Sequence, residues 1–557
     1  LSDLSNQTLN SQAGDMLDAN MTMAQAFSQV AEPRRKQNAL TSGEVHYTYG
    51  QLLDRTRRLA VALQSMGVDK GERVVAFLPP GADFVCLFFA LAEIGGVFVP
   101  LNPQLRPYSY NQVLQDADPV MVVTDQPHEE GSFPQLANLK HIILTAGEGG
   151  STPTLNEMIA RIPAGASPIS QVSPEDLLAL LYTSGTTGVP KGTMHTHRSL
   201  ITPVLASLKI RELWLKRLNL KSIGQTAKAL ARYKTRLLRV AGRPQIFLST
   251  VGWHSITGIE LMLQALLMGD HIVVMPRFHP RLAMELVQRE KITILVAIPT
   301  AFQAMLSLED FDSYDTSTLL ICGTGAMPCP PELGRKIQEH YKCALHIGFG
   351  STEMAGGIAI PNISDSNEIQ ATTVGKPLPG MQVKILDDDG HELTKGEVGE
   401  LLCRGDSIMQ GYYRAPEATS DVIDKDGWYS TGDLARMDDE GYLQIVGRKR
   451  DMIIRGGQNI YPAEIEAYLV THPDIQEAAV VGVPSEMGGE QAWAFIILKP
   501  GAELSTRQVL DYCRKELEPY QIPNRVRFVT DFPRTEIGKP QKFRLQSDIL
   551  DELRKEK

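Results

Sequence analysis

The stretch from residue 177 to residue 192 constrains the fold most, because an apolar run leads directly into a loop of glycines and hydroxyls. The run Leu177–Tyr182 predicts a buried strand. Glycines let a backbone approach a phosphate closely, hydroxyls and amides donate to its oxygens, and a lysine adds charge. The loop residues with these properties are Thr183, Ser184, Gly185, Thr186, Thr187, Gly188 and Lys191. We therefore predict a phosphate-binding loop, with an ordinary surface loop as the alternative. It is not of the Walker type, because Pro190 stands where that motif has the glycine of its Gly-Lys pair.

Composition indicates a globular protein with more than one domain. The 557 residues exceed what one hydrophobic core supports, and 43% hydrophobic with 22% charged residues is ordinary for this class. The net charge of −10 argues against nucleic-acid binding by bulk electrostatics. Six scattered cysteines without a Cys-x-x-Cys pair favour neither a disulfide framework nor a zinc site. With no secretory signal recognised at the start, we expect a cytoplasmic location.

Short apolar strands alternate with helical stretches, which is typical of α/β layers with largely parallel sheets. The run at 84–101 is interrupted by Glu93 and Gly95, and predicts a buried helix leading into a strand rather than a membrane span. Other predicted strands are Arg73–Phe77, Pro119–Thr124, His141–Thr145, His271–Met275 and Ile292–Ile298, and predicted helices are Tyr49–Met66 and Arg281–Arg289. The pattern predicts a large α/β body.

The pattern of predicted secondary structure changes twice toward the end of the chain. Short strands and turns around 380–404 predict a small β-rich region. After the charged run 448–451 comes a compact α+β unit of about a hundred residues. Its predicted elements are the strands Ala478–Val483, Ala492–Leu498 and Arg525–Val529 and a helix near Thr506–Leu517. We place a domain boundary at the charged run, giving units 1–449 and 450–557.

Four further clusters of glycine, hydroxyl and charged residues follow the loop in a fixed order. They are Gly348-Phe349-Gly350-Ser351-Thr352-Glu353, Tyr429-Ser430-Thr431-Gly432-Asp433, Gly447-Arg448 and Pro533-Arg534-Thr535-Glu536-Ile537-Gly538-Lys539. Each is weak alone, since a Thr-Gly-Asp turn or a Gly-Lys pair is common. Together, from about Thr48 to Leu545, they resemble the adenylate-forming superfamily of acyl-CoA synthetases, adenylation domains and luciferases. Within it the chain is most like a fatty-acyl-CoA synthetase.

The resemblance implies an N-terminal body of two α/β subdomains and a β-rich subdomain, followed by a small, mobile α+β lid. It also implies a reaction in two steps that uses ATP, Mg²⁺ and coenzyme A. A carboxylate first attacks the α-phosphate of ATP, which gives an acyl-adenylate and pyrophosphate. A thiol then displaces AMP to give a thioester. Positioned donors and cations suit this chemistry, because both substrates of the first step are anionic.

The resemblance assigns the nucleotide contacts residue by residue. The loop at 183–191 would hold the β- and γ-phosphates, Thr352 would contact the α-phosphate, and Glu353 would ligate Mg²⁺, a hard cation that prefers oxygen. Asp433, an acceptor-only carboxylate, suits the two ribose hydroxyls, with Arg448 beside it. Phe349 replaces the family's usual stacking Tyr, which keeps the stacking. Other nucleotide-side residues are Ala326, Met327 and Gly350.

The resemblance also assigns the two half-reactions. Lys539 would bridge the carboxylate and phosphate in the first step. Lys542 lies near it in sequence, but Lys539 directly follows Gly538 and so stands at the family's position for this lysine. Arg450 stands at the family's hinge position, where Asp or Lys is usual. Gly457 would border the pantetheine tunnel used in the second step, and a simple turn glycine is the alternative.

The acid substrate is predicted from the segment around Trp253 and His254. Amino-acid-activating members have an Asp at the position of His254, and without that anion a buried substrate ammonium would lack a partner. We therefore expect a fatty or aryl carboxylate with His254 beside it, and a core histidine is the alternative. The implied acyl pocket is lined by Trp253, Ile256, Ile259, Gly323, Gly348, Met354, Ala355 and Gly356.

A basic segment at 209–243 departs from the family. It holds eleven lysines and arginines and one acid, Glu212, and its apolar residues Ile210, Leu213, Trp214 and Leu218 fall at helical spacing. Gly224 is a point where the helix would break in two. A basic amphipathic helix on an acidic protein indicates a site for an anionic membrane or an acidic partner. A solvated helix packed on the body by its apolar stripe is the alternative.

These observations predict an acid–thiol ligase that forms acyl-CoA. An acyl–acyl-carrier-protein ligase, with the basic segment as its docking site, and an aryl-CoA ligase are the alternatives. A non-catalytic relative that binds nucleotide or acyl groups is disfavoured by the intact Lys539, Glu353 and Asp433.

We predict that Gly457→Leu will impair only the second half-reaction, because the added bulk would enter the proposed tunnel. Pyrophosphate exchange should stay near the wild-type rate while transfer to coenzyme A falls. Both rates are measurable on the same preparation. Transfer at the wild-type rate would make Gly457 a turn residue.

Overall fold

The computed structural model describes residues 17–126, 133–147, 154–183, 190–217, 233, 236, 243–455, 458–484, 490–535 and 538–555. The helices of these residues are α1 (Met23–Ala31), α2 (Tyr49–Ser65), α3 (Ala82–Ile94), α4 (Pro107–Ala117), α5 (Leu155–Arg161), α6 (His197–Arg217), α7 (Ile256–Leu267), α8 (Pro280–Arg289), α9 (Pro299–Leu306), α10 (Pro331–Tyr341), α11 (Asn367–Thr372), α12 (Pro416–Ser420), α13 (Pro462–Leu469), α14 (Thr506–Cys513) and α15 (Lys542–Lys555).

The strands of the same residues are β1 (Asn38–Ser42), β2 (Val45–Thr48), β3 (Arg73–Phe77), β4 (Val97–Pro100), β5 (Met121–Thr124), β6 (His141–Leu144), β7 (Leu177–Thr183), β8 (Lys191–Thr196), β9 (Ile246–Ser249), β10 (His271–Val274), β11 (Ile294–Val296), β12 (Ile321–Thr324), β13 (Ala344–Ile347), β14 (Phe349–Ser351), β15 (Gly356–Ile360), β16 (Lys376–Pro377), β17 (Gln382–Leu386), β18 (Gly399–Arg404), β19 (Tyr429–Met437), β20 (Leu443–Arg448), β21 (Ile453–Arg455), β22 (Gln458–Ile460), β23 (Ile475–Pro484), β24 (Glu490–Leu498) and β25 (Arg525–Phe528).

The first α/β layer is a six-stranded sheet with the order β6-β5-β3-β4-β7-β8. Its strands run parallel except for the antiparallel pair β7 and β8. The buried strand predicted at 177–182 is confirmed as β7. The chain leaves β7, passes the predicted phosphate loop and returns along β8, so the loop sits at the edge of this sheet.

The apolar run at 84–101 is confirmed as a buried helix followed by a strand. Helix α3 is buried on nearly every face and ends at Gly95, whose φ of +78° is left-handed. A left-handed glycine is a common way to stop a helix. Strand β4 follows in the middle of the sheet. In the described part of the chain, no helix has the length and apolar character needed to cross a membrane.

The second α/β layer is a seven-stranded sheet with the order β13-β12-β11-β9-β10-β1-β2. Only β1 and β2 pair antiparallel, and the other neighbours are parallel. Parallel strands end at the same edge of a sheet, so the segments that follow β9, β11, β12 and β13 meet there. Ligands of open α/β sheets bind at this carboxyl edge.

The remainder of the body is antiparallel, as the sequence indicated for its β-rich region. Strands β14-β15-β16 form one small sheet and β17-β18-β19-β20 another. The C-terminal unit has the sheet β23-β24-β25 and two hydrophobic clusters built from residues at 453 and beyond. The predicted α/β body with a β-rich part and a small α+β C-terminal unit is therefore confirmed. The predicted helix at 506–517 is wrong in its end, since α14 stops at Cys513 and residues 514–516 form a turn.

One buried ion pair ties the beginning of the basic segment to the second sheet. Helix α6 continues into the segment, and Arg211 donates to the fully buried carboxylate of Asp270 at 2.8 Å. The other carboxylate oxygen accepts the Gln245 N–H at 2.7 Å. Burial raises the pKa of Asp270 despite the attraction of Arg211. This arginine therefore serves the interior of the protein.

A second arginine of the basic segment is also engaged by the body. Arg236 donates from Nη1 to the backbone carbonyls of Leu319 and Tyr341, the latter at 2.8 Å. Residues 218–232, 234–235 and 237–242 lie outside the described residues, as does the predicted break at Gly224. Two of the eleven basic residues thus hold the segment in place, which matches the packed alternative for this part of it.

We predict that Asp270→Ala lowers the apparent Tm strongly, because the Arg211 guanidinium and the Gln245 N–H lose their acceptor. Breaking such a buried pair costs about 3–5 kcal/mol. The control is Glu368→Ala, which breaks the exposed pair with Arg335 (2.8 Å) and should cost about 1 kcal/mol or less. Thermal unfolding of both variants decides it, and equal Tm values would contradict the assignment.

Candidate active site

Several predicted site residues lie at the carboxyl edge of the second sheet. His254 follows β9, Ala326 and Met327 follow β12, and Phe349 begins β14 directly after β13. The segments after β12 and β13 touch, because the Gly348 N–H donates to the Thr324 carbonyl at 2.8 Å. The parallel register thus brings together residues that are up to about a hundred positions apart in sequence.

The predicted phosphate loop is closed at its base by the β7–β8 hairpin. Thr183 and Lys191 are partners across the two strands, so they face each other where the loop begins and ends. The central loop residues lie outside the described residues: Ser184, Gly185, Thr186, Thr187 and Gly188. The described base fixes where the loop leaves and rejoins the sheet.

Tyr412 joins the base of this loop to Glu353, and the sequence reasoning missed it. The Tyr412 hydroxyl donates to Glu353 Oε1 at 3.0 Å. Lys191 Nζ lies 5.2 Å from the centre of the Tyr412 ring, within cation–π range. The ring is held because the Tyr413 N–H donates to the Gly192 carbonyl of β8 at 2.7 Å. No glycine-rich or charged motif marks this position, so the only signal is an aromatic pair after a glycine.

The Glu353 carboxylate has the properties needed for the predicted Mg²⁺ contact. It accepts hydroxyl donors from Ser351 at 2.8 Å and from Tyr412, and in the described part of the chain it forms no ion pair with Lys or Arg. No cation among the described residues therefore neutralises its charge, and lone pairs remain for a hard cation. The residues present fit the ion that the sequence implied.

The hairpin formed by β14 and β15 explains why residue 350 is a glycine. A Cβ at Gly350 would lie 1.9 Å from the Gly356 carbonyl oxygen, so any side chain would clash with backbone. Opposite this hairpin, Ala326 has a left-handed φ of +63° and is exposed. Phe349 and Ala326 therefore stand on adjacent strand ends, an arrangement that suits a flat ring between them.

Asp433 and Arg448 form the second polar group of the site. They are register partners on β19 and β20, and Arg448 Nε lies 2.9 Å from Asp433 Oδ1. Asp433 is 6% exposed. Burial raises the pKa of Asp433 to about 6, and the charges of Arg448 and Lys539 oppose that rise only in part. This carboxylate is therefore ionised at pH 7 and available as an acceptor.

Lys539 lies close enough to Asp433 and Arg448 for the three charges to influence one another. Burial and the positive charge of Arg448 lower the pKa of the half-buried Lys539, while Asp433 and Asp451 oppose that shift. Lys542, the rival in the sequence, is instead held by Glu466 at 2.6 Å. The structure thus separates the two lysines.

The turn that carries Lys539 is fastened to the C-terminal sheet. Arg534 binds both carboxylate oxygens of Glu477 at 3.0 Å and donates to the Gly538 carbonyl at 3.1 Å. Within the turn, the Lys539 N–H donates to the Thr535 hydroxyl at 3.1 Å. Arg534 was part of a predicted motif but had no predicted role.

His254 stands at the same sheet edge without a hydrogen bond to the other predicted residues in the described part of the chain. Its ring packs on the backbone of Gly252, where a Cβ would approach His254 Cε1 to 2.4 Å. Burial lowers the pKa of His254 to about 4, so the imidazole is neutral at pH 7.

Gly457, predicted to border the pantetheine tunnel, lies outside the described residues.

Comparison with known proteins gives the same picture over the whole chain. The family model described as AMP-binding enzyme matches residues 27–413, and that described as AMP-binding enzyme C-terminal domain matches residues 464–539. A long-chain-fatty-acid–CoA ligase of Escherichia coli O157:H7 is 32% identical, over 92% of this chain and 91% of its own. The human medium-chain acyl-CoA ligase ACSF2 is 30% identical, over 95% of this chain and 87% of its own.

Among solved structures, the anthranilate CoA ligase AuaEII in complex with anthranoyl-AMP superposes with a TM-score of 0.81. It is 27% identical, and the match covers 96% of this chain and 98% of that one. The likeness extends through both the body and the C-terminal unit.

We predict that ATP binding weakens as the pH falls through about 6, because protonated Asp433 loses its charge as an acceptor. Asp433→Ala should raise the KM for ATP by roughly 10- to 100-fold at pH 7.5 through the loss of charged hydrogen bonds, and should flatten its dependence on pH. The control is Asp421→Asn, an exposed acid of the same region. A wild-type KM in Asp433→Ala would place the ribose elsewhere.

Proposed function

Because this chain belongs to the AMP-binding enzyme family, and is accordingly an AMP-forming acid–thiol ligase that uses ATP, Mg²⁺ and coenzyme A, we propose that it activates a medium- or long-chain fatty acid. The acid is named by the relatives, which are medium-chain and long-chain acyl-CoA ligases. The observation that carries the proposal is the electrostatic interaction of Lys539, in the C-terminal unit, with Asp433 and Arg448 of the body. The ammonium group of Lys539, from the C-terminal unit, is thereby brought to the residues of the body that are proposed to bind the nucleotide.

In the first step a carboxylate oxygen forms a bond to the α-phosphorus of ATP, and the bond to the pyrophosphate oxygen breaks. Asp433 accepts from the ribose hydroxyls and Arg448 orients that carboxylate. Thr183, Lys191 and the loop between them hold the β- and γ-phosphates, and Thr352 contacts the α-phosphate. Lys539 donates to the carboxylate and phosphate oxygens as charge concentrates there. A partly desolvated ammonium is strongly attracted to such oxygens.

Glu353 is the residue proposed to hold Mg²⁺. The ion would supply stabilisation of the charge on the phosphates when bound. The Tyr412 hydroxyl orients this carboxylate, and the Tyr412 ring face contacts the Lys191 ammonium. One side chain therefore positions both charged groups.

In the second step the thiol of coenzyme A attacks the acyl carbon and AMP leaves. The thiol must approach where Lys539 stood, so we propose that the C-terminal unit turns about the residues after Lys449. Lys449 is held by Asp388 at 3.0 Å and by Glu400 at 2.9 Å, whereas among the described residues Arg450 forms an ion pair only with the neighbouring Asp451, at 3.5 Å. These contacts support a boundary between 1–449 and 450–557. Gly457 would then border the thiol's path.

The neutral His254 supports a carboxylate substrate without a cationic α-substituent. An α-ammonium at that place would lack the anion it needs. An aryl acid is the second candidate, and the observation that favours it is the similarity to the anthranilate ligase AuaEII.

The test is pyrophosphate release against a panel of straight-chain and aromatic acids, with coenzyme A and with acyl carrier protein as acceptors. Saturated acids of medium or greater length should give the highest kcat/KM with coenzyme A. A preference for aromatic acids would favour the second candidate. If none of the acids supported pyrophosphate release, the proposal would be overturned.

We predict that Lys539→Ala abolishes acyl-adenylate formation but largely spares thioester formation from supplied acyl-adenylate, because the lysine acts only where phosphate charge develops. Lys542→Gln, which keeps a donor for Glu466, is the matched control and should retain both activities. Single-turnover assays of each half-reaction distinguish them. Equal loss of both half-reactions in Lys539→Ala would contradict the role.

The basic segment at 209–243 supports a further, finer proposal about partners. We infer that the basic side chains not used by the body bind an anionic bilayer or the acidic surface of a carrier protein, since exposed cations attract both at low salt. Arg211 and Arg236 are excluded from this role by their partners in the body.

We predict that reversing four charges, Lys216, Arg217, Lys228 and Arg232 to Glu, weakens co-sedimentation with anionic vesicles or carrier protein by orders of magnitude, at about 1 kcal/mol per cation. Turnover of a short soluble acid with coenzyme A should stay nearly unchanged. If the unmodified protein binds neither partner, the packed-helix alternative holds.

A further inference from the structure

A buried carboxyl group stands beside the predicted acyl pocket, and the reaction described above does not use it. Glu260 lies on α7, one turn after Ile256. Its Oε2 accepts the Gly357 N–H at 3.0 Å and its Oε1 accepts a donor from Gln264 at 3.0 Å. Glu260 thus links α7 to β15, and these two elements carry Ile256, Ile259 and Gly356 of the predicted pocket.

The carboxyl group occupies the space that a side chain at position 356 would need. A Cβ at Gly356 would lie 2.3 Å from Glu260 Oε2, and Gly356 also has a left-handed φ of +122°. Gly356 is one of the residues that the sequence assigned to the acyl pocket. Glu260 as a whole residue is half-buried, and its carboxyl group lies directly beside Gly356 of the predicted pocket.

Nothing among the described residues balances the charge of Glu260. No Lys or Arg of the described chain forms an ion pair with it, and burial raises the pKa of this carboxyl group to about 7. Burying an acid in this way opposes folding, and a leucine at the same place would avoid that cost. The two hydrogen bonds use two of about four acceptor sites on the carboxylate. Capacity therefore remains for a ligand's donor.

We propose that Glu260 is a specificity-determining residue that selects acids whose chain carries a hydroxyl group away from the reacting carboxylate. The helix rises about 1.5 Å per residue, so Glu260 lies roughly 6 Å along α7 beyond Ile256 and still farther from His254. A hydroxyl donor at that depth would bind one of the remaining acceptor sites of the carboxyl group, and a plain chain would leave those sites unused. This proposal rests on the proposed function, because it concerns the acid taken by the same site.

The experiment compares straight-chain acids with their ω-hydroxy counterparts over a range of lengths, using kcat/KM for pyrophosphate release. Wild-type protein should prefer one ω-hydroxy acid over its plain counterpart by at least about tenfold, the usual worth of a hydrogen bond to a charged group. Glu260→Leu should abolish or reverse that preference while leaving the KM for ATP unchanged. Glu260→Gln, which keeps an acceptor for the Gly357 N–H, should reduce it severalfold.

The matched control is Glu93→Gln on α3. Burial also raises the pKa of Glu93, and it lies outside the predicted pocket, so its variant should keep the wild-type preference. If the wild type shows no preference at any length, or if both Glu260 variants keep it, Glu260 is a structural link between α7 and β15 and the inference is overturned. Failure of the proposed function looks different, because no acid would then support pyrophosphate release.

Discussion

The parallel pairing of β9, β11, β12 and β13 is the constraint on which the rest of the site depends. It brings the ends of four strands to one edge, and the segments leaving that edge carry His254, Ala326 and Phe349. The tight β14–β15 hairpin then turns the chain so that Glu353 faces the first sheet. With Gly350 so near the Gly356 carbonyl, a single added methyl group would disturb this path. The polar chemistry of the site is thus arranged by backbone geometry.

Burial acts on the two charges nearest the nucleotide side in opposite senses. It raises the pKa of Asp433 and lowers the pKa of Lys539, because both charged groups have less contact with water than they would have in solution. Arg448 pairs with Asp433, and the charges of Asp433 and Asp451 attract Lys539, which offsets part of the cost of burial. Charges kept in place without a full hydration shell need little rearrangement when a charged substrate arrives. The arrangement suits a reaction between two anions.

Much of the fold was predictable, because its signals are local. The alternation of apolar runs identified β3, β5, β6 and β10 almost to the residue. The glycine and hydroxyl motifs, through the family that they resemble together, assigned Glu353, Asp433 and Lys539 as candidate site residues, and their roles stay predictions. The end of α14 was mispredicted, since Arg514, Lys515 and Glu516 are good helix formers yet form a turn.

The unpredicted residues act through partners that are far away in sequence. Tyr412 is significant only because β8 binds the adjacent backbone and turns the ring toward Glu353 and Lys191. Glu260 is preceded and followed by ordinary helical residues, and its burial appears only when β15 is placed against α7. From the sequence, Arg211 is predicted as one cation of a solvent-exposed face, and in the structure it forms an ion pair with the buried Asp270. Such pairings depend on tertiary packing, which no local pattern encodes.

The clamp formed by Arg534 and Glu477 makes Lys539 a rigid appendage of the C-terminal sheet. The Gly538 carbonyl is tied to the same arginine, so the lysine's backbone has little freedom to drift by itself. In the proposed mechanism, withdrawing the lysine's backbone from the reacting oxygens would require moving the whole unit. The positive charge would then take two positions, and a domain rotation would set the timing of the chemistry. The slowest motion of the catalytic cycle would accordingly be set by how firmly the unit as a whole rests on the body.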